Sequence, residues 1–341
     1  MNETENKSNL PQTLTKARFV EIDEERAGQR IDNFLLASLK GVPKSRVYRI
    51  LRKGEVRVNK GRIKASYRLK AGDTVRIPPI RLADTEAPVS PGAHVLARIN
   101  DSIVVEEKGF LVLNKPSGLA VHGGSGLDYG IIEAMRALRP EAPYLELVHR
   151  LDRETSGCLL IAKRRSILRE MHRLLREKGR ESATGKMQAT GDGMDKRYLA
   201  LLMGKWKGDE RRIDAPLLKN TLRSGERIVT INPEGKSALT FFRPIARYKE
   251  ATLVEVRLMT GRTHQIRVHA ASMGNPIAGD QKYGDETFNR TMKTRGLNRL
   301  FLHAKSLGFS LALEGHDQPY RYEAPLEKAL ELVLNTLAKL P

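Results

Sequence analysis

Four short apolar runs set the fold class of this chain: Phe110-Leu111-Val112-Leu113, Cys158-Leu159-Leu160-Ile161-Ala162, Tyr198-Leu199-Ala200-Leu201-Leu202 and Ala251-Thr252-Leu253-Val254-Glu255-Val256. Runs of this length, bounded by turn residues, read as strands. Fewer helical segments lie between them than a regular β-α-β-α alternation needs. The expectation is therefore an α+β fold, a mixed and mainly antiparallel sheet with helices to the side. A closing helix is expected within 326 to 340, where Leu326, Leu330, Val333 and Leu337 recur on one face.

Ahead of this domain, residues 18 to 80 read as a separate basic module. Ile31, Leu35 and Leu39 mark one face of a helix that Gly41-Val42-Pro43 breaks. Ser45 is the expected N-cap of a second helix, with Val47, Ile50 and Leu51 on one side and Arg46, Arg49 and Lys53 on another. Gly54 ends it. Short alternating strands follow, turned at Asn59-Lys60-Gly61 and at Lys70-Ala71-Gly72-Asp73. A helix pair with a row of cations suits phosphate contacts along a folded RNA, although an ordinary solvated helix face has the same pattern. Residues 81 to 98, with Pro88, Pro91 and Gly92, are expected to be a linker, and 99 to 341 a second domain. Within it, 179 to 195 is rich in Gly, Thr and Met without a repeating apolar face, as in a mobile surface insertion.

Charge narrows the partner. Among 341 residues, 60 Lys and Arg stand against 40 Asp and Glu, a net charge of +20. Such an excess draws polyanions, with nucleic acid first and an anionic membrane surface as the alternative. Against the membrane, no stretch approaches the ~20 apolar residues of a span. The start, Met1-Asn2-Glu3-Thr4-Glu5-Asn6, also lacks the pattern of a signal peptide. The single cysteine, Cys158, excludes an intrachain disulfide framework, and a reduced, cytoplasmic setting is expected.

The chemistry centres on His149-Arg150-Leu151-Asp152-Arg153-Glu154-Thr155-Ser156-Gly157, a polar run between two apolar segments. A loop held by strands at both ends fixes a side chain while leaving it open to a ligand. Asp152 is the expected nucleophile, kept ionised by Arg150 and Arg153. Taken alone, the run reads more readily as a solvated loop with a local ion pair, and context has to overturn that.

Other chemistries are weaker. Gly123-Gly124-Ser125-Gly126 lacks the Gly-Lys-Ser/Thr ending of a phosphate loop and the dinucleotide spacing. His264 and His269 stand five apart, so they do not share the helical face of a zinc protease, and no metal site is evident. No Gly-x-Ser-x-Gly elbow accompanies Ser156. The stretch from Gly261 to Pro276 is stronger: a helix over about 263 to 273 is delimited by Gly274 and Pro276. Its first turn, with Arg262 and Arg267, makes an anion site for RNA phosphate or for the Asp152 carboxylate.

These residues resemble, in order, the motifs of the RluA-type pseudouridine synthases. The run around Asp152 is similar to the family's catalytic signature and Leu113-Asn114-Lys115-Pro116-Ser117-Gly118 to its first motif. Lys196-Arg197-Tyr198 resembles its tyrosine strand, 261 to 269 its arginine helix, and Pro276-Ile277-Ala278-Gly279-Asp280 and Leu302-His303-Ala304 its closing motifs. The N-terminal module resembles the S4 RNA-binding domain. Gly41-Val42-Pro43-Lys44-Ser45 and the stretches 48 to 58 and 217 to 229 are similar to members acting on the ribosomal large subunit, whereas the insertion at 179 to 195 departs from them.

The resemblance implies isomerisation of specific uridines in large-subunit ribosomal RNA, without cofactor or metal; a monomer is expected. It also implies roles: Asp152 as the catalytic residue, Arg262 as its ionic partner, and Tyr198 stacked on the uracil and assisting loss of the C5 proton. Arg150 is implied to fill the gap left by the extruded nucleotide, and Leu302 to wall the pocket. Lys115 and Arg267 are implied to be structural or phosphate contacts. Without the resemblance, Tyr198 reads as a core residue. A family member acting on transfer RNA and a non-catalytic ribosomal RNA-binding assembly protein are the competing readings.

Overall fold

The computed structural model describes residues 16–24, 26–39, 42–80, 91–124, 127–177, 193–221, 227–313 and 316–338. The chain divides into two units, Met1–Val89 and Ser90–Pro341.

The first unit comprises β1 (Arg18–Glu21), α1 (Ile31–Ser38), α2 (Lys44–Arg52), β2 (Arg57–Val58), β3 (Gly61–Arg62) and β4 (Thr74–Ile77). Its antiparallel sheet has the order β1-β4-β2-β3. The apolar faces of the two helices, Ile31 and Leu35 on α1 and Val47, Ile50 and Leu51 on α2, close a core with Val58 and Val75 of the sheet. Entry into α2 differs from expectation: Pro43 stands at the N-cap in extended backbone, and no side chain caps the helix. Proline's fixed φ pre-sets that entry, so Ser45 falls inside the helix. Asn59 and Lys60 both have positive φ, at 49° and 68°, the conformation a two-residue hairpin turn demands. The Asn59 amide bridges the turn to the start of β4, donating to Asp73 Oδ1 and accepting from the Thr74 N–H. Arg49 and Lys53 are exposed, and Arg46 is half-buried.

The second unit opens with α3 (Ala93–Asn100), most of it within the stretch 81 to 98 expected as linker. Val95, Leu96 and Ile99 pack into the core of this unit, an apolar face that the preceding Pro91 and Gly92 obscure. The elements that follow are β5 (Ile103–Glu106), β6 (Phe110–Lys115), α4 (Ile131–Leu138), β7 (Glu146–Leu147), β8 (Ser156–Ala162), α5 (Arg165–Glu177), β9 (Asp195–Met203) and β10 (Arg211–Asp214). Next come β11 (Leu217–Thr221), β12 (Arg227–Ile231), β13 (Leu239–Arg247), β14 (Ala251–Leu258) and α6 (Gln265–Ser272). The chain closes with α7 (Glu286–Thr294), β15 (Leu302–Leu313), β16 (His316–Glu323) and α8 (Lys328–Asn335). Eight strands run in the order β10-β13-β14-β9-β15-β8-β6-β5, with β16 joined to β15 and β7 to β8. β15 and β8 form the sheet's parallel pair among the described residues, and its other pairs are antiparallel.

That parallel junction explains a glycine. At φ +105°, Gly157 lies so close to β15 that a Cβ there would stand 2.2 Å from the Ala304 carbonyl oxygen. Only glycine permits both the backbone conformation and the approach. The junction brings the start of β8 beside the start of β15 and sets the loop before β8 at one edge of a cavity.

Two expectations shift. Of the insertion at 179 to 195, residues 179–192 lie outside the described residues. Its far end is already β9, where Asp195 pairs with Arg197 at 2.8 Å and with Arg257 at 3.2 Å. The closing helix covers Lys328–Asn335, with Leu330 and Val333 buried as its periodicity predicts.

Candidate active site

The loop of residues 148–155 is tied at several points before any reactive group is considered. Val148 N–H donates to Leu160 O, and the Leu160 N–H donates to His149 Nε2 at 3.2 Å, so the ring of His149 takes the place of a strand partner and turns the chain away from β8. Enclosure of that ring, reinforced by the charge of Lys196, pushes the imidazole pKa down to about 3. His149 is thus a neutral acceptor. On the other side, the buried Lys115 Nζ donates to the carbonyls of Pro116, Leu119 and Arg153 at 2.8, 2.8 and 3.0 Å. Arg153 Nε donates to Gly118 O, and Ser117 Oγ to Glu154 O. The backbone on both sides of Asp152 is therefore anchored.

Asp152 projects into a cavity of about 370 Å³ lined also by Arg150, Lys196, Tyr198, Arg262 and Leu302. That volume lies in the range of ligand pockets. Its carboxylate is 30% exposed and is approached at Oδ2 by Arg267 Nη1 at 3.5 Å and by His264 Nε2 at 3.9 Å. Asp280 aims the guanidinium: Nε and Nη2 of Arg267 donate to its two oxygens, each at 2.7 Å. Burial alone would raise the Asp280 carboxyl, but the guanidinium fork outweighs it and holds the group below the ordinary carboxylate range.

The sequence Gly261-Arg262-Thr263-His264-Gln265-Ile266-Arg267-Val268-His269 builds this wall residue by residue. Gln265 is buried with its amide satisfied, donating to Leu239 O and Thr240 Oγ1 and accepting from the Arg262 N–H and Thr260 Oγ1. His269, fully buried, spans from Thr240 Oγ1 to Ala215 O. These contacts pin α6 to β13. His264, just before α6, has φ 53° and ψ 20°, a left-handed conformation that costs a non-glycine residue roughly 1 kcal/mol or more.

Tyr198 and Leu302 enter from neighbouring strands, Leu302 opposite Ala200 in the register of β15 with β9. Both are nearly buried and both line the cavity. Burial, with the charge of Asp152 adding to it, raises the Tyr198 phenol above its ordinary value.

A family described as RNA pseudouridylate synthase matches residues 109–272, and the S4 domain matches 29–75. The ribosomal large subunit pseudouridine synthase C of Escherichia coli (strain K12) is 55% identical over 323 residues, covering 94% of this chain and 96% of that protein. The protein of the same description in Haemophilus influenzae is 52% identical over 324 residues, covering 95% and 96%.

The chain belongs to the RNA pseudouridylate synthase family.

Solved structures agree on the fold. Human RNA pseudouridylate synthase domain containing 4 superposes with a TM-score of 0.55 at 24% identity, over 71% of this chain and 95% of that one. Domain containing 1 gives 0.54 at 23% identity, over 74% and 92%.

As a pseudouridine synthase, the chain places several expected site residues differently from the sequence reading. Arg262 lines the cavity but makes no ion pair with Asp152; it is exposed, and its Nε donates to Ser237 O. The ionic partner is Arg267. It lies inside a stretch, Gln265 to Ala270, that is buried throughout, and a cation within such a stretch must find a counter-ion. That is the signal that points to Arg267 over the loop residue Arg262. Lys115 is fully buried and spends its hydrogens on three carbonyls, so it holds the loop and does not reach RNA phosphate. The two arginines flanking Asp152 in sequence are not its ion pairs: Arg153 turns to Gly118 O, and Arg150 is exposed at the cavity rim. His264 and Tyr283 carry no sequence signal that marks them as neighbours of Asp152.

Proposed function

We propose that this protein converts specific uridines of large-subunit ribosomal RNA into pseudouridine, with Asp152 as the catalytic residue. The observation that carries this reading is the setting of Asp152, a partly exposed carboxylate paired with Arg267 in a cavity walled by Tyr198 and Leu302. The relatives described as acting on the ribosomal large subunit span almost the whole chain and support the substrate class.

The isomerisation breaks the bond from N1 of uracil to C1′ of ribose and forms one from C5 to C1′; C5 loses a proton and N1 gains one. Asp152 attacks ribose or base as nucleophile, or takes a ribose proton on a glycal route. Arg267 keeps it ionised and aimed. Tyr198, its phenol held protonated by burial, suits stacking on the uracil better than proton abstraction as a phenolate. Arg150, exposed and lining the cavity, is proposed to occupy the space of the extruded nucleotide. The exposed Arg49 and Lys53, with Arg46, form the proposed phosphate-binding row of the S4-like module at 18 to 80, and the catalytic domain follows the linker and begins with α3. A cytoplasmic monomer is the proposed setting; no helix among the described residues is long and apolar enough to cross a membrane.

Asp152→Asn tests the reading. Tritium release from C5-labelled uridine in large-subunit RNA is expected to vanish while RNA affinity persists. Turnover by the variant would remove Asp152 from its role, and release by the wild type from transfer RNA alone would reassign the substrate.

A further inference from the structure

Two residues that the reaction does not yet use stand at the Asp152 carboxylate, His264 approaching it directly and Tyr283 through His264. His264 is 16% exposed at its side chain, with Nε2 directed to Asp152 Oδ2 at 3.9 Å and Nδ1 at 2.8 Å from the Tyr283 hydroxyl. That hydroxyl oxygen accepts from the Val229 N–H on β12 at 3.0 Å, and the Tyr283 N–H donates to Asp280 Oδ1. Its ring lies edge-on to the imidazole, centroids 5.5 Å apart, and under the Arg267 guanidinium at 5.1 Å. Tyr283 therefore touches both groups that approach Asp152. It packs in one small cluster with Leu217 and Val229 of the antiparallel pair β11 and β12 and Val268 of α6.

The hydrogen-bond pattern favours one tautomer. With its oxygen accepting from Val229, Tyr283 satisfies its own hydrogen by donating to His264 Nδ1, and the imidazole hydrogen then stands on Nε2, facing the carboxylate, where the opposite tautomer would aim a lone pair at it. Burial lowers the imidazole pKa despite the nearby Asp152 charge, so this donor is neutral at pH 7. It orients the carboxylate without adding a second positive charge that would weaken it as a nucleophile. Both His264 and Arg267 approach the same oxygen, Oδ2.

We propose that His264 and Tyr283 act as a positioning pair: the Tyr283 hydroxyl fixes the Nε2–H tautomer, and that N–H closes on Asp152 Oδ2 when uridine fills the cavity, so that Oδ1 is the oxygen that reacts. Catalytic hydrogen bonds are often long in an empty site and shorten with substrate bound. The left-handed backbone of His264, at φ 53°, is what turns its ring to this position ahead of α6. The proposal rests on Asp152 being the reacting group.

Single-turnover rates at saturating large-subunit RNA, with RNA dissociation constants measured in parallel, test it. His264→Ala and Tyr283→Phe are each expected to slow the reaction by about 10-fold or more, since small misplacements of a reacting group cost that much, with RNA affinity unchanged. His264→Gln, whose amide N–H reaches the place of Nε2–H, is expected to recover most of the rate. The double variant is expected to be no slower than His264→Ala alone, because both changes remove one interaction. Tyr283→Phe keeps the ring under Arg267 and deletes only the oxygen, so it decides the matter if His264→Ala does not fold. Rates within twofold of wild type, a loss carried by RNA affinity, or penalties that multiply in the double variant each overturn the proposal. An inactive Asp152→Asn beside a fully active His264→Ala removes the pair alone; an active Asp152→Asn removes the underlying site reading.

Discussion

Arg267 meets Asp280 through two nitrogens, Nε and Nη2, each at 2.7 Å, and this fork leaves Nη1 as the nitrogen that faces Asp152. The Asp280 side chain is 1% exposed and that of Arg267 10%, so both ions are out of water and depend on each other.

Asp280→Asn is therefore expected to lower stability by about 3 kcal/mol or more, the cost of leaving one member of a buried ion pair without its partner. Denaturant unfolding at pH 7 measures it. The Asp280 carboxyl is held below its ordinary value, so the stability it contributes is present above about pH 4, the unfolded value, and is lost as pH falls through the depressed folded one. The gap between wild type and variant should accordingly narrow in acid. A gap constant from pH 7 to pH 3 contradicts the ionic account.

Lys115→Met fills a similar volume but removes all three donors from the carbonyls of Pro116, Leu119 and Arg153. Each orphaned buried acceptor costs about 1–3 kcal/mol. Burial also pushes the Lys115 ammonium down to about 7, which marks how closely the site encloses it. The expected outcome is a lowered melting temperature together with a reduced turnover rate, because Arg153 is the residue after Asp152. Full activity in a stable variant argues that the loop needs no such anchor.

Gly157→Ala places a methyl 2.2 Å from the Ala304 carbonyl oxygen and 2.6 Å from its nitrogen. Backbone atoms of a central strand cannot yield as a flexible side chain can, so a loss of about 3 kcal/mol or more is expected, at the severe end for a single methyl. Thermal unfolding reads it directly; a melting temperature equal to wild type means β8 and β15 are less closely joined.

The double substitution Arg49→Ala with Lys53→Ala removes two exposed cations of the α2 segment. If both neutralise phosphates, the slope of log affinity against log salt becomes shallower by about 1.5, near 0.7–0.9 for each phosphate no longer neutralised. Binding titrations across salt concentrations decide this, and an unchanged slope places the phosphate-binding residues elsewhere.

Much of the fold was legible because the apolar runs at 110–113, 158–162, 198–202 and 251–256 each became a strand of one sheet. The first helix pair was legible in the same way, from spacing that its buried face reproduces. Less legible were the boundaries set by tertiary packing. The helix Ala93–Asn100 lay hidden behind Pro91 and Gly92, and of the apolar segment that leads into the Asp152 loop only Glu146–Leu147 joined the sheet, because the His149 ring took the next backbone donor.

By itself, the sequence determined the α+β class, the basic character of the first unit, and Asp152 as the residue to watch, since these depend on local periodicity, net charge and an ordered set of motifs. Which cation meets that aspartate was decided only by the tertiary structure. Arg150 and Arg153 stand nearest along the chain and Arg262 leads into the helix, yet the ion pair goes to Arg267, more than a hundred residues away. The reason is geometric: Asp280 holds two nitrogens of Arg267 and Ser237 draws Arg262 aside. The direction of a side chain follows from the partners around it, and those partners come together only when distant segments fold.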